Sequence, residues 1–302
     1  MTGVNSCEKS PAVTRAVTCY NAYDTVAILE DCGECINMQG MTMEGGYVYA
    51  FKISRDSSLQ LLHRVDVATG EVTRLYDLDS GSEFVSYMHH ANDACAFRVD
   101  GKLHLIVATI DEGERAMVEI EIEGDGYRRV ASYTLRDENG TDIIISAVEI
   151  LEREGDRLTL LLNEKNDCWR AVLDLNNRPQ VLPVSRAFTL DVSRVPYHGD
   201  LLPLPTEIFY HQGIAIRGDR LYAPRTHRSE SVFAVFDISG GEDVLKPLVE
   251  ETVIVSDVKY TKLEAEGLAF DEEGRLFFNT NRRNNTAETH YDGIHVVNRL
   301  RF

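Results

Sequence analysis

The stretch that decides the fold reads NDACAFRVDGKLHLIV, from Asn92 to Val107. A polar pair opens it, a short run of alternating residues follows, Asp100 and Gly101 supply a turn, and a second β-rich run ends it. Two such runs joined by a glycine-containing turn predict a β-hairpin. The start of the first strand and the end of the second therefore lie at the same end of the hairpin.

This pattern occurs five times in the sequence, and repetition at such an interval is typical of propellers and solenoids. The second residues of the opening pairs, at positions 40, 93, 147, 213 and 267, are separated by 53, 54, 66 and 54 positions, as expected for four-stranded propeller blades. The sequence predicts an all-β protein, a single five-bladed β-propeller over residues 1–302 with four antiparallel strands per blade. The other four copies begin at Gln39 (QGMTMEGGYVYAF), Ser146 (SAVEIL, then DRLTLLL), Gln212 (QGIAIRGDRLYA) and Glu266 (EGLAFDEEGRLFF), so blades start near residues 39, 92, 146, 212 and 266.

The ends of the repeat predict how the ring closes. Only 35 residues follow Gly267, enough for three strands, whereas an unassigned β-like run covers residues 13–20. We expect residues 13–20 to close the last blade, because a ring with that strand in place has no free edge. The one long interval between repeats contains a proline-rich stretch, which predicts an inserted loop at about residues 179–205.

Composition excludes several classes of function. With 49 acidic and 31 basic residues, the net charge of −18 repels phosphate backbones, so nucleic acid is not an expected partner. The sequence has no apolar run long enough to span a membrane. Its first residues lack the pattern of a secretory signal, so we expect a cytoplasmic protein, or a secreted one if a leader was removed.

The six cysteines do not predict a dense disulfide framework in a chain of this length. Cys95 and Cys168 lie in apolar stretches and are predicted to belong to the core. Cys32 and Cys35 form a C-x-x-C motif that would suit either a bridge or a zinc ion, but the sequence has no second C-x-x-C motif and no nearby histidine pair.

Polar residues recur where the hairpin geometry brings strand starts and strand ends to one mouth of the central channel. Such a mixture of groups suits a polar ligand, because each supplies directional hydrogen bonds. The predicted mouth residues include Gln39, His90, Asn92, Asp93, His211, Gln212 and Glu266 from strand starts and Arg225, His227, Asn281 and Arg282 from strand ends.

Three kinds of chemistry remain open for these residues. Asp93 and Glu266, with amide oxygens nearby, are the ligand types that Ca²⁺ prefers. Alternatively, His90 or His211 would act as a base oriented by one of these carboxylates, in hydrolysis or lyase chemistry. In the third, the mouth binds a glycan without cleaving it. A purely structural role is the competing interpretation, because side chains at this position also bond to the backbone of neighbouring blades.

The repeats beginning at His90, Gln212 and Glu264 resemble the blade motifs of the helveticin J-like proteins, β-propellers that include large bacteriocins. The resemblance implies an antibacterial or cell-envelope-binding role without a cofactor. Other five-bladed propellers are glycoside hydrolases with three acidic residues around the channel, a set that Asp93, Glu149 and Glu266 would imitate.

The sequence therefore favours a binding propeller that recognises a glycan or another small polar ligand at the channel mouth. The alternative is an enzyme that uses the same mouth: a metal-assisted hydrolase of lactonase type, a glycosidase or a lyase. A protein partner that docks on the rim or on the predicted insertion is a further hypothesis.

Overall fold

The computed structural model describes residues 20–110, 116–193, 195–197, 200–202, 210–227, 229–284 and 287–298. Within these ranges the chain is nearly all β, as predicted, with one short 3-10 helix over Val249–Glu251. The described segments contain no helix of the length and apolarity needed to cross a bilayer. Antiparallel pairing groups most of these strands into five arrays of four, here named arrays I to V.

The strands, in chain order, belong to the arrays as follows. The first strand, β1 (Tyr23–Ile28), pairs in array V. Array I contains β2 (Cys35–Glu44), β3 (Tyr47–Ser54), β4 (Gln60–Asp66) and β5 (Val72–Asp77), and β6 (Phe84–Val85) pairs with β4. Array II contains β7 (Asp93–Val99), β8 (Lys102–Ala108), β9 (Met117–Glu123) and β10 (Gly126–Arg136), and β11 (Asp142–Ile143) pairs with β10. Array III contains β12 (Ala147–Glu154), β13 (Arg157–Glu164), β14 (Asp167–Asp174) and β15 (Val181–Leu190).

The hairpin of β16 (Val195–Tyr197) and β17 (Asp200–Leu202) follows array III. In array IV, β18 (Tyr210–His211) and β19 (Ala215–Arg217) share the first position, before β20 (Arg220–His227), β21 (Glu230–Asp237) and β23 (Val253–Ser256). The short β22 (Val244–Leu245) pairs in parallel with β15. Array V contains β24 (Lys262–Phe270), β25 (Leu276–Asn284) and β27 (Gly293–Val297), with β26 (Ala287–His290) beside β25.

The apolar core of the described part of the chain consists of five clusters, each shared by two neighbouring arrays. Successive residues of a strand point to opposite faces. Leu105 accordingly packs with array I while Ile106 packs with array III, and Phe277 packs with array I while Phe278 packs with array IV. Each array is therefore covered on both faces by its neighbours, which is the arrangement of a β-propeller.

The first strands of the arrays approach one another so closely that glycine is required at three positions. A Cβ atom on Gly40 would lie 2.5 Å from the backbone of Asp93, and one on Gly213 would lie 2.5 Å from the Asp93 carboxylate. A Cβ atom on Gly267 would lie 2.6 Å from the backbone nitrogen of Met41. Close packing at the centre of the molecule thus explains the glycine in three of the five repeated pairs.

The strand that joins the two ends of the described chain is β1. It pairs antiparallel with β27, so Tyr23–Ile28 is the outer strand of array V. The strand predicted over residues 13–20 lies outside the described residues except for Tyr20, which forms an isolated parallel bridge with Ile254.

A buried lysine connects this outer strand to array I. The Lys52 ammonium group is fully buried and lies 2.7 Å from the carboxylate of Asp31 and 3.0 Å from that of Asp292. It also donates a hydrogen bond of 3.1 Å to the carbonyl of Leu29. Asp31 follows β1 and Asp292 precedes β27, so one cation from β3 holds the two chain segments that meet at the end of this pairing where Ile28 lies opposite Gly293.

The predicted insertion over residues 179–205 is wrong in its first half. Val181–Leu190 forms β15, the outer strand of array III, in which Ala171 pairs with Val184. Pro183 is tolerated there because it lies beyond the part of β15 that pairs with β14, where no antiparallel ladder needs its missing donor. The departure from the blade pattern begins instead after Leu190.

Candidate functional site

Asp93 joins three arrays at the centre of the molecule. Its side chain is fully buried, and Oδ2 accepts hydrogen bonds from the backbone nitrogens of Val148 (3.1 Å) and Ile214 (3.2 Å). Burial raises the pKa of Asp93 well above its usual value. Asn92 is similarly engaged, because its amide nitrogen donates to the carbonyl of Ser146 at 2.8 Å. These bonds give both residues a structural role, and neither is placed in the proposed site.

The pair of carboxyl groups on β24 is a stronger candidate. Lys262 and Glu264 share one face of β24, and the charges of both act on Glu266, which lies in the β-bulge after Ala265. Glu264 forms an ion pair with Lys262 and accepts a hydrogen bond of 3.4 Å from the amide of Gln212. Burial first, and then the negative charge of Glu264, raise the pKa of Glu266 well above its usual value. Within this pair, the surroundings of Glu266 favour its protonated form.

Several buried polar atoms around Glu266 lack hydrogen-bond partners among the described residues. Both carboxyl oxygens of Glu266 are in this state, as are Oε1 of Gln39, Oδ1 of Asn281 and Nε of Arg283. Asn281 pairs with Glu264 across β24 and β25, and Arg283 Nη2 donates to Asn37 at 2.6 Å. Buried polar atoms are almost always paired, so a concentration of unpaired ones indicates a place for a polar ligand or ordered water.

His90 approaches this acidic pair from array II. Its Nδ1 lies 3.1 Å from the hydroxyl of Ser57, and the negative charge of Glu264 acts to raise the pKa of the ring. Burial outweighs that charge and lowers the pKa of His90, so the imidazole is neutral at pH 7. A neutral, half-buried imidazole held by a hydroxyl group is able to accept a proton.

The predicted residues of array IV form a separate, basic region. Arg225 is buried and donates to the carbonyls of Pro224 (2.8 Å) and Lys165 (3.2 Å). Burial, followed by the charge of Arg225, lowers the pKa of His211 to about 4. His211 is thus neutral and lacks the carboxylate neighbour that the sequence-based hypothesis gave it among the described side chains. The side chain of His227 lies outside the described part.

Arg282 lies on the opposite face of β25 from Asn281. Its guanidinium group stacks over the ring of Tyr260 at 4.7 Å and donates to the carbonyl of Tyr291 at 2.7 Å. Arg282 is therefore a packing residue between arrays IV and V, and its prediction as a ligand-binding residue is not supported by these contacts.

Glu149 is a further acidic group near the axis. Burial raises its pKa to about 7, and its charge acts on Asp93 and Cys95. Across the described residues, no group of three or more His, Cys, Asp or Glu side chains has the spacing of a metal site. The prediction that Asp93 and Glu266 hold Ca²⁺ stays a prediction.

Sequence reasoning missed Lys262 and Ser57. The signal for Lys262 was present, because it stands two residues before Glu264 on the same face of one strand. Nothing in the sequence indicates Ser57, which lies in the turn after β3 and reaches His90 only through the packing of arrays I and II.

Comparison with known proteins gives a fold and no family. No protein-family model and no curated protein matches the chain. Solved structures do match: a GH43 β-xylosidase/α-arabinofuranosidase from a compost microbial metagenome, in complex with xylotriose, has a TM-score of 0.50 at 12% identity, covering 90% of this chain and 94% of that one. A GH43_1 enzyme from Xanthomonas citri with xylotriose also has a TM-score of 0.50, at 11% identity and with 91% and 89% coverage.

A third match, to a GH43_12 protein from a capybara gut metagenome, has a TM-score of 0.50 at 8% identity and covers 95% of this chain and 55% of that one. At such low identities these similarities establish the β-propeller fold alone. The resemblance to helveticin J-like proteins receives no support from any of the comparisons.

Proposed function

We propose that this chain is a five-bladed β-propeller, closed by β1, that binds a glycan at the channel mouth between arrays V and I and hydrolyses it. The observation that carries the proposal is Glu266: a buried carboxyl group with a raised pKa, whose two oxygens have no hydrogen-bond partner among the described residues, beside the carboxyl group of Glu264. The five arrays are its blades.

A protonated carboxyl group is the group that a glycosidase needs to protonate the leaving oxygen of a glycosidic bond. Burial and the charge of Glu264 raise the pKa of Glu266 and so favour its protonated form. The unpaired amide oxygens of Gln39 and Asn281 would accept hydrogen bonds from sugar hydroxyls. The solved structures with the same fold that act on xylosides and arabinosides make such sugars the first substrates to test.

The second catalytic group in this proposal is His90. Its neutral imidazole, positioned by Ser57, would take the proton of the attacking water, while Glu264 stabilises the resulting positive charge on the ring. Glu264 itself is less suited to that role, because it is paired with Lys262 and adjacent to Glu266.

Glycan binding without cleavage is the second candidate function. The ion pair between Glu264 and Lys262 favours it, because it engages the carboxylate that would otherwise assist Glu266 in catalysis.

The test is hydrolysis of aryl xylosides and arabinosides and of xylotriose, together with thermal unfolding in the presence of each sugar. We expect Glu266→Gln to lower kcat by at least about 100-fold while sugar-induced stabilisation remains. Glu272→Gln, an exposed carboxylate of the same array, is the matched control and should change neither.

Stabilisation without hydrolysis in the unmodified protein would favour the binding function. Full activity in Glu266→Gln would refute the catalytic assignment, and the absence of both hydrolysis and stabilisation would refute a glycan site at this mouth.

A further inference from the structure

The C-x-x-C motif forms a tight turn at the entrance to β2. Cys32 and Cys35 exchange two backbone hydrogen bonds, of 3.3 and 3.0 Å, and Gly33 adopts the positive φ of +56° within the turn. Residues paired in this way have Cα atoms about 5.5 Å apart, within the range that a disulfide spans. Both cysteines are free thiols in this structure.

The environments of the two thiols differ. Cys32 is partly exposed, and the guanidinium of Arg74 donates to its sulfur at 2.9 Å. Cys35 is fully buried and donates from its sulfur to the carbonyl of Leu59 at 3.6 Å. Burial raises the pKa of Cys35 to about 11. Cys32 is therefore the thiol that a small molecule in solvent reaches first, whereas Cys35 lies behind it in the core.

A cavity of about 280 Å³ opens beside Cys32 and is lined also by Glu30, Asp31, His63 and Arg74. His63 is only 2% exposed, and its Nδ1 atom has no hydrogen-bond partner among the described residues. A histidine that lines a cavity next to a thiol and has a buried ring nitrogen without a partner indicates that the cavity accepts a small molecule with a polar group.

We propose that Cys32 and Cys35 form a thiol–disulfide exchange site that reduces low-molecular-weight disulfides. The Cys32 thiolate attacks one sulfur of the small disulfide, whose S–S bond breaks and releases the first thiolate. The Cys35 thiol then loses its proton to solvent and attacks Sγ of Cys32, which forms the Cys32–Cys35 disulfide and releases the second thiolate. The protein gives up two electrons and two protons, and the small disulfide becomes two thiols.

This site is independent of the glycan site, because neither cysteine belongs to the mouth. The test uses the full chain with Cys7 and Cys19 replaced by serine and the aryl disulfide 5,5′-dithiobis(2-nitrobenzoate) as the probe. We expect release of two aryl thiolates per protein at this pair, and a peptide in which Cys32 and Cys35 are linked. Cys35→Ser should release one aryl thiolate and retain the other on Cys32.

Cys32→Ser should react at least about tenfold more slowly, because the buried Cys35 is then the attacking group. Arg74→Gln should slow the first step about threefold or more, whereas Cys168→Ser, at a buried core thiol, should leave both steps unchanged. A stable aryl adduct on Cys32 of the parent protein would overturn the proposal, as would equal reaction rates for the Cys32→Ser and Cys35→Ser variants.

Discussion

Asp93 holds together the backbones of three inner strands with one carboxyl group. Its Oδ2 atom accepts hydrogen bonds from the backbone nitrogens of Val148 and Ile214. Among the described residues, no other side chain accepts a hydrogen bond from these two nitrogens. A buried backbone N–H group without an acceptor lowers the free energy of unfolding. The ability of the Asp93 carboxyl group to accept hydrogen bonds therefore matters more for stability than its charge. The high pKa of Asp93 agrees with that interpretation.

Asp93→Ala is expected to lower the free energy of unfolding by about 2–4 kcal/mol, because two buried N–H groups lose their acceptor. Asp93→Asn keeps a side-chain oxygen at the same place and should cost less than about half of that. Urea unfolding of the two variants measures the difference. Equal losses would show that the charge, and not the acceptor, is what the centre of the molecule requires.

The raised pKa of Glu149 predicts that the free energy of unfolding depends on pH. Its pKa of about 7 in the folded chain exceeds the usual value of 4.5, so between these values the folded state binds more protons than the unfolded state. Stability therefore falls as pH rises from about 4.5 through 7, by at most about 3 kcal/mol from this group. Glu149→Gln should be more stable than the parent protein at pH 8 and equal to it near pH 4.5.

Thermal unfolding from pH 4.5 to 8 tests this expectation. Glu152→Gln, an exposed carboxylate on the same strand, is the control and should follow the parent protein at every pH. A Glu149→Gln curve parallel to that of the parent would contradict a raised pKa.

At the scale of single elements, alternation explains both the correct and the incorrect site predictions. On β25 the odd positions Asn279, Asn281 and Arg283 face array I, whereas Arg282 faces Tyr260. The sequence showed where this strand ends and which residues are polar. It did not show which face meets the channel, because a β-bulge between Ala265 and Leu268 shifts the register of the neighbouring strand.

The outer strands were harder to predict than the inner ones. β15 contains Pro183, and its exposed and buried positions do not alternate regularly. Its sequence therefore resembles that of a loop, although the strand completes array III. The inner strands have a clear sequence pattern, because they are covered on both faces and are followed by glycine-containing turns. Outer strands contact solvent on one edge, so their sequences are less constrained. Cys95 and Cys168, predicted to be core, are indeed buried.

At the scale of the whole molecule, the repeats predicted the all-β class and the propeller arrangement from spacing alone. They did not predict that Glu264 of array V, rather than Asp93 or Glu266, is the carboxylate whose charge acts on His90. The partners of Lys52 were equally hidden, since they lie next to two strands that are far apart in sequence. Contacts between repeats depend on the packing of the ring, which a repeat pattern does not encode.

Lys52 links array I to the two loops that meet at one end of the β1 and β27 pairing. Lys52→Met is expected to lower the free energy of unfolding by about 3–5 kcal/mol, because the buried carboxylate of Asp292 loses its counter-charge. Arg64→Met removes the surface partner of Asp125 and should cost less than about 1 kcal/mol. Chemical unfolding of both variants gives the comparison, and a similar small loss in each would show that Lys52 does not hold this junction.

The pairing of β1 with β27 also affects how the chain is made. Thr25 and His295, which are partners in this ladder, lie 270 residues apart. At about 5–20 residues per second, a ribosome needs roughly 15 to 50 seconds to synthesise the stretch between them. During that time β1 has no partner in its own chain, and neighbouring nascent chains or chaperones compete for its backbone donors and acceptors.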